Sequence, residues 1–176
     1  MWSLSRCRST RKNYLMKYSN SIEIAQPRAR VAQLLADPAY LPHWLRGMVL
    51  HEPVHGEHGQ LGTKSRVVLQ SGKQTFEIAE TITRRDPADL SDIPRDTVVH
   101  FERESVGEGM WSVVRDRLTE VDPETTLWVS DSEYRFDGLL MRMVGLVMPG
   151  TFRTQSQQHM EDFKAFAEHG TDVRES

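Results

Sequence analysis

The stretch that most constrains the fold lies near the end of the chain, at residues 139–168. Its first part, 139–148, is almost wholly apolar, and after Pro149-Gly150 the stretch becomes amphipathic. Apolar residues there recur at intervals of three and four, which places them on one face of a helix. A long helix with one apolar face needs a partner to cover, and the preceding residues predict a β-sheet.

The middle of the chain alternates apolar and polar residues with period two, which predicts strands separated by short turns. Ser71-Gly72-Lys73 is a tight hairpin turn within this region. A first strand precedes it and is followed by two short helices, the first beginning near Pro27 and the second ending at Gly47. The predicted strands span 17–24, 48–54, 63–69, 75–84, 97–104, 110–121 and 126–136.

This element order predicts an α+β fold. Consecutive strands joined by short turns form an antiparallel meander, so we expect a seven-stranded curved antiparallel sheet around a long C-terminal helix. At 176 residues the chain has the size of one domain. We expect that domain at 17–168, after a disordered N-terminal extension at 1–16 and before a C-terminal tail at 169–176.

The composition argues against several classes of function. A net charge of −3 supplies no positive field for nucleic acid. Cys7 is the one cysteine, so a disulfide framework or a cysteine metal cluster has no basis, and we expect a reducing cytoplasm as the location. No apolar run reaches the roughly 18–20 residues of a transmembrane helix, so any membrane contact is expected to be transient.

The element order and several short motifs resemble the START/Bet v1 superfamily, also called SRPBCC or the helix-grip fold. The resemblance covers 17–168, and its weight comes from the order and spacing of motifs that are weak singly. They are the Pro27 helix followed by Asp37 and Trp44, Gly62-Thr63-Lys64-Ser65, the segment 77–82, Thr125-Thr126, the segment 148–152 and the segment 160–166.

The resemblance implies a small-molecule cavity under the long helix, with no cofactor required. The superfamily includes lipid and sterol carriers, plant hormone receptors, aromatic polyketide cyclases and Rieske-type oxygenase domains. A Rieske centre needs two cysteines, so the oxygenase branch is excluded. Fold does not decide among the others.

Three titratable residues are candidates for chemistry in the cavity. Glu80 shares strand parity with apolar neighbours, so it is expected to point inward, where desolvation raises a carboxyl pKa and suits general acid–base catalysis. Its alternative role is to pair with an arginine or to cap a buried backbone group. Asp116 also has inward parity, and a structural network with Arg115 or Arg117 is its alternative role. His100 is either a proton carrier in the cavity or an exposed strand histidine.

The histidines at positions 51, 55 and 58 lie close together in the sequence. Such a cluster can bind zinc, but Pro53 and Gly56 make this region a turn and no second ligand segment is evident, so we predict no metal site.

The expected cavity wall is mostly apolar, and plain core packing is the alternative for each of its members. Besides Glu80 and Asp116, the predicted ligand-binding residues are Trp44, Phe76, Ile78, Ile82, Val114, Met143, Val147 and Met148. In the last strand, Leu127 and Val129 have one parity, whereas Trp128, Tyr134 and Phe136 have the other. A bulge between 129 and 134 would reconcile them.

The leading hypothesis is therefore a protein that binds or carries a small hydrophobic molecule, as a monomer or homodimer. One alternative is an enzyme of the cyclase or dehydratase type that uses cavity carboxylates for proton transfer. A second alternative is an interaction module that uses the apolar segment 139–148.

Overall fold

The computed structural model describes residues 14–138 and 149–175. It contains the predicted order of one strand, two short helices, six strands and a long helix. The strands are β1 Tyr14–Ile24, β2 Met48–His55, β3 Lys64–Ser71, β4 Gln74–Asp86, β5 Val99–Gly107, β6 Met110–Asp122 and β7 Thr125–Phe136. The helices are α1 Arg28–Ala36, α2 Leu41–Trp44, which follows a 3₁₀ turn at Pro38–Tyr40, and α3 Pro149–His169.

All seven strands form one antiparallel sheet in the order β1-β7-β6-β5-β4-β3-β2. The predicted meander is confirmed, and β1 closes on β7 rather than on β2. The hairpin between β3 and β4 is as tight as predicted, because Ser71 pairs directly with Gln74. Gly72 supplies the positive φ of 59° that the first central position of such a turn requires.

Both ends of the expected domain extend further than the sequence pattern indicated. β1 begins at Tyr14, which pairs with Phe136, and Met16 is buried. Residues 14–16 therefore belong to the sheet and not to the extension. At the other end, the N–H of Val173 donates to the carbonyl of His43, so part of the predicted tail is fastened to α2.

The apolar core lies where the three helices cover one end of the sheet. Phe163 of α3 is fully buried and meets Trp44 of α2 and Trp128 of β7 edge-on, at centroid distances of 5.2 and 5.3 Å. Inward side chains of β1, β5 and β6 complete this core, namely Ile24, Val99, Phe101 and Leu118. No helix among the described residues is long and apolar enough to span a bilayer.

The bulge predicted in β7 is wrong. From Thr126 to Phe136, β7 pairs with both β1 and β6 without a register shift, and the irregularity lies instead between Glu120 and Asp122 of β6. Leu127 and Val129 are half-buried on the outer face of the sheet. Neighbouring long polar side chains cover apolar groups with their stems, so these two residues need no bulge to turn them inward.

Candidate ligand-binding site

The inner face of the sheet carries a row of polar side chains beside the apolar core. Register places Arg103 of β5 diagonally between Glu80 of β4 and Asp116 of β6, within reach of long side chains. Both carboxylates point inward, as their strand parity predicted. The structure therefore brings the two candidates to one face and inserts an arginine between them.

Asp116 is almost completely buried, with 2% of its surface exposed, and its two oxygens have separate partners. Trp128 Nε1 donates to Oδ1 over 2.9 Å, and Arg103 Nη2 donates to Oδ2 over 3.2 Å. Arg115 and Arg117, the partners considered from the sequence, lie on the outer face and pair with Glu102 and Asp131.

The positive charge of Arg103 lies between the negative charges of Glu80 and Asp116. Burial alone would lower its pKa, but the negative charges of Glu80 and Asp116 outweigh burial and raise the pKa above its ordinary value. The guanidinium is thus a permanent cation between two anions. A buried charge is tolerated when such partners surround it.

Glu80 is held as a carboxylate rather than as a neutral acid. Burial would raise its pKa, but the hydrogen bond with His51 and the positive charge of Arg103 overcome burial and lower the pKa below its ordinary value. His51 Nε2 lies 3.2 Å from Oε1 of Glu80. The expectation of a raised pKa at Glu80 is therefore wrong, because desolvation is not the only influence at this position.

His51 in turn contacts His58 in the loop between β2 and β3. Nδ1 of His51 lies 2.7 Å from Nε2 of His58, and the two rings stack with centroids 4.9 Å apart. Burial and the neighbouring His51 lower the pKa of His58, against the opposing charges of Asp37 and Glu80. The sequence indicated that these histidines were close, but it did not connect them with Glu80.

The loop that carries His58 is anchored on both sides. Arg85 Nη1 donates to the carbonyl of Gly59 over 2.6 Å. Gly59 has a φ of 81°, and a Cβ there would lie 2.9 Å from the carbonyl oxygen of Ala36 at the end of α1. Close packing at this glycine therefore fixes the loop, and with it His58, against the end of α1.

A cavity of about 40 Å³ lies between this polar row and the first two helices. Its volume holds a few water molecules and no more. A larger ligand therefore requires the wall to move. The lining residues are Leu35, Ala36, Pro38, Leu41, His51, Gly59, Glu80, Ile82, Arg85, Phe101 and Arg103.

The remaining predicted site residues are distributed over the molecule. Ile82 lines the cavity, Ile78 and Val114 are half-buried on the inner face, and Trp44 packs in the core. Phe76 is 49% exposed and does not line the cavity. Residues Met143, Val147 and Met148, and with them the interaction segment 139–148, lie outside the described residues.

His100 is not part of this site. It alternates with the inward residues Val99 and Phe101 and pairs with Arg117 on the outer face. Burial and the charge of Arg84 lower its pKa, but its side chain and Glu80 lie on opposite faces of the sheet. Among the described residues, no group of three or more histidine, cysteine or acidic side chains has the geometry to hold a metal ion.

The described fold is similar to several solved structures. One is norcoclaurine synthase from Thalictrum flavum in complex with dopamine and hydroxybenzaldehyde, at 14% identity and a TM-score of 0.66 over 96% of each chain. Another is the Zhui aromatase/cyclase from a Streptomyces species, at 11% identity and a TM-score of 0.65 over 91% of this chain and 100% of that one. A third is Ara h 8.0201, at 15% identity and a TM-score of 0.63 over 88% and 98%.

These likenesses, together with the element order, identify the class of fold. The chain has the helix-grip fold, in which a long C-terminal helix lies on an antiparallel sheet, so the fold implied by the resemblance in the sequence is confirmed. No family model matches the sequence, and no curated protein matches it. At these identities the likeness establishes the fold alone.

Proposed function

We propose that the protein binds a small, largely hydrophobic molecule between the sheet and the first two helices. The observation that carries this proposal is the composition of the cavity wall. Leu35 and Leu41 from the helices and Phe101 from β5 supply apolar surface, and the charged groups of Glu80 and Arg103 lie in the sheet side of the same wall. Ligand sites typically combine a mostly apolar wall with a few placed polar groups that fix the ligand's orientation.

The proposed ligand has an apolar body and at least one polar group. Glu80 Oε1 accepts from His51, and Oε2 has no hydrogen-bond partner among the described residues. A hydroxyl or N–H group of the ligand would donate to that oxygen. Solved structures of the same fold support small aromatic molecules as a ligand class, since the synthase is described with dopamine and hydroxybenzaldehyde.

Native mass spectrometry of the protein purified from its own host tests the proposal, followed by denaturing extraction of whatever is bound. We expect a co-purifying apolar molecule of low mass. The affinity of the extracted molecule is then measured for two variants. Ile82→Trp fills the cavity from β4, and Ala79→Trp, at an exposed position on the outer face of the same strand, is the control. Loss of binding in the first variant alone supports the site; equal binding by both would refute it.

A second candidate is an enzyme of the cyclase or dehydratase type. The observation that favours it is the ionised carboxylate of Glu80 at the cavity wall, hydrogen-bonded to His51. Such a group is a competent general base once a ligand lies within reach. Glu80→Gln should then abolish turnover of the extracted molecule or its analogues, whereas a carrier would show no turnover before or after the change.

A further inference from the structure

Three titratable side chains lie in series between the loop surface and the cavity. Glu80 lies at the cavity wall, His51 is next to it with an 8% exposed side chain, and His58 is the half-buried outer member. His51 Nε2 lies 3.2 Å from Glu80 Oε1, and His51 Nδ1 lies 2.7 Å from His58 Nε2. Both ring nitrogens of His51 are used, which fixes this ring between its two partners.

We propose that His58, His51 and Glu80 form a relay that carries a proton between solvent and a ligand in the cavity. The receiving group would be a carbonyl or hydroxyl oxygen of a small apolar molecule that contacts Glu80. This proposal rests on the proposed function for the presence of the ligand. In the relay Glu80 is the group that touches the ligand, and the two histidines are positioning residues.

The proton moves by a series of shifts in which each bond formed is matched by one broken. A proton from solvent binds Nδ1 of His58, and the proton on Nε2 of His58 passes to Nδ1 of His51. The proton on Nε2 of His51 then passes to Oε1 of Glu80, which becomes a neutral acid. Donation to the ligand oxygen restores the carboxylate, and no oxidant or other reactant is needed.

The charged groups around the series act on its protons in opposite directions. Asp37 at the end of α1 and Glu80 on β4 favour a proton on His58, whereas burial and His51 oppose it. Arg103 on β5, backed by Asp116 on β6, and Arg85 on β4 line or border the same cavity. Burial alone would raise the pKa of Glu80, but His51 and Arg103 lower it below its ordinary value, so the neutral acid of the relay is a transient species and the carboxylate is the resting state.

Nuclear magnetic resonance on the ligand-free full-length chain tests the relay directly. With ¹⁵N-labelled histidine, we expect the neutral His51 ring to carry its proton on Nε2, which faces Glu80. In Glu80→Gln, loss of the negative charge that raises the pKa of His58 should move the titration of His58 to lower pH. His55→Gln, an exposed histidine at the end of β2, is the matched control and should leave the titration of His58 unchanged.

The rate at which the His51 ring proton exchanges with solvent distinguishes a relay from a purely structural hydrogen bond. In a relay, His58 is the path to solvent, so His58→Gln should slow this exchange roughly tenfold or more. If His58 only covers His51, the same change should leave the exchange unchanged or make it faster, and the proposal would be overturned. A His51 proton on Nδ1, or a titration of His58 that is unchanged in Glu80→Gln, would overturn it as well, even if His58→Gln disturbs the loop.

The outcomes also separate this proposal from the proposed function. A chain in which His58→Gln slows the exchange, but which has no affinity for apolar molecules, would retain the relay and refute the binding site. A chain that binds apolar molecules while His58→Gln leaves the exchange unchanged would retain the binding site and refute the relay.

Discussion

The two ends of the sheet's inner face differ in the side chains that they carry, which are apolar at one end and charged at the other. At the apolar end, Trp128 and Leu118 pack beneath Phe163 of α3 in a core without charge. At the polar end, Glu80, Arg103 and Asp116 also point inward, with Asp116 buried and the side chains of Glu80 and Arg103 partly buried. Both ends share one sheet and one strand parity, so the backbone does not require the polar end to be polar.

The two ends are expected to contribute differently to the stability of the fold. Apolar burial stabilises the fold by roughly 25 cal/mol per Å² of surface removed from water. Buried ion pairs rarely give a net gain over apolar residues of similar size, because desolvation offsets their attraction. Asp116 joins the two ends, since it accepts from Trp128 in the core and from Arg103 in the polar row. Stability alone therefore does not explain the polar end, which agrees with the ligand site proposed there.

The largest loss of stability is expected from the apolar end. Phe163→Ala removes a fully buried ring that contacts two tryptophans, and should lower the free energy of unfolding by about 3–5 kcal/mol. Denaturant unfolding followed by tryptophan fluorescence measures the change. Phe76→Ala, at an exposed aromatic position, is the control and should cost less than about 1 kcal/mol. Equal losses would mean that α3 does not anchor the core.

A loss of about 3 kcal/mol is expected where the two ends meet. Asp116→Leu leaves the buried guanidinium of Arg103 without one of its two anions and leaves Trp128 Nε1 without an acceptor. Asp131→Asn, whose carboxylate pairs with Arg117 at the exposed outer face, should cost less than about 1 kcal/mol. If Asp116→Leu left the free energy of urea unfolding unchanged or raised it, the carboxylate of Asp116 would not be required for stability.

The smallest of the three effects concerns pH. Burial lowers the pKa of His159 in α3, against the opposing charge of Asp162. The unfolded chain, with a histidine pKa of about 6.5, then binds this proton more readily, so stability falls as pH drops below that value and levels off below the folded pKa. His159→Gln should flatten part of this slope in unfolding measured across pH, whereas His55→Gln serves as control. An unaltered slope would assign the acid sensitivity to other groups.

The sequence predicted the fold well because its signals were local and repeated. The period-two strands, the turn at Gly72 and the amphipathic spacing in α3 each specify an element by themselves. The site was predicted less well, because it depends on pairing between distant segments. Strand parity placed Glu80 and Asp116 on the inner face, but no local pattern indicated that Arg103 would lie between them or that His51 would reach Glu80.

One site prediction is wrong, and the structure decides between two roles for another candidate. The pKa of Glu80 was expected to rise because only its own burial was considered, whereas two cationic or proton-donating neighbours from other strands reverse the direction. His100 lies on the outer face, as in the second of its two predicted roles, because its parity is opposite to that of Phe101, which faces inward.

The central claim is that a ligand lies against the polar end of the inner face. Backbone amide spectra of the ¹⁵N-labelled chain, recorded with and without the extracted molecule, test this claim most directly. We predict shifts at Leu35, Leu41, Gly59, Ile82 and Arg103, and none at the outer-face residues Arg117 and Asp131. Shifts confined to the outer face, or none at saturating concentration, would contradict the account.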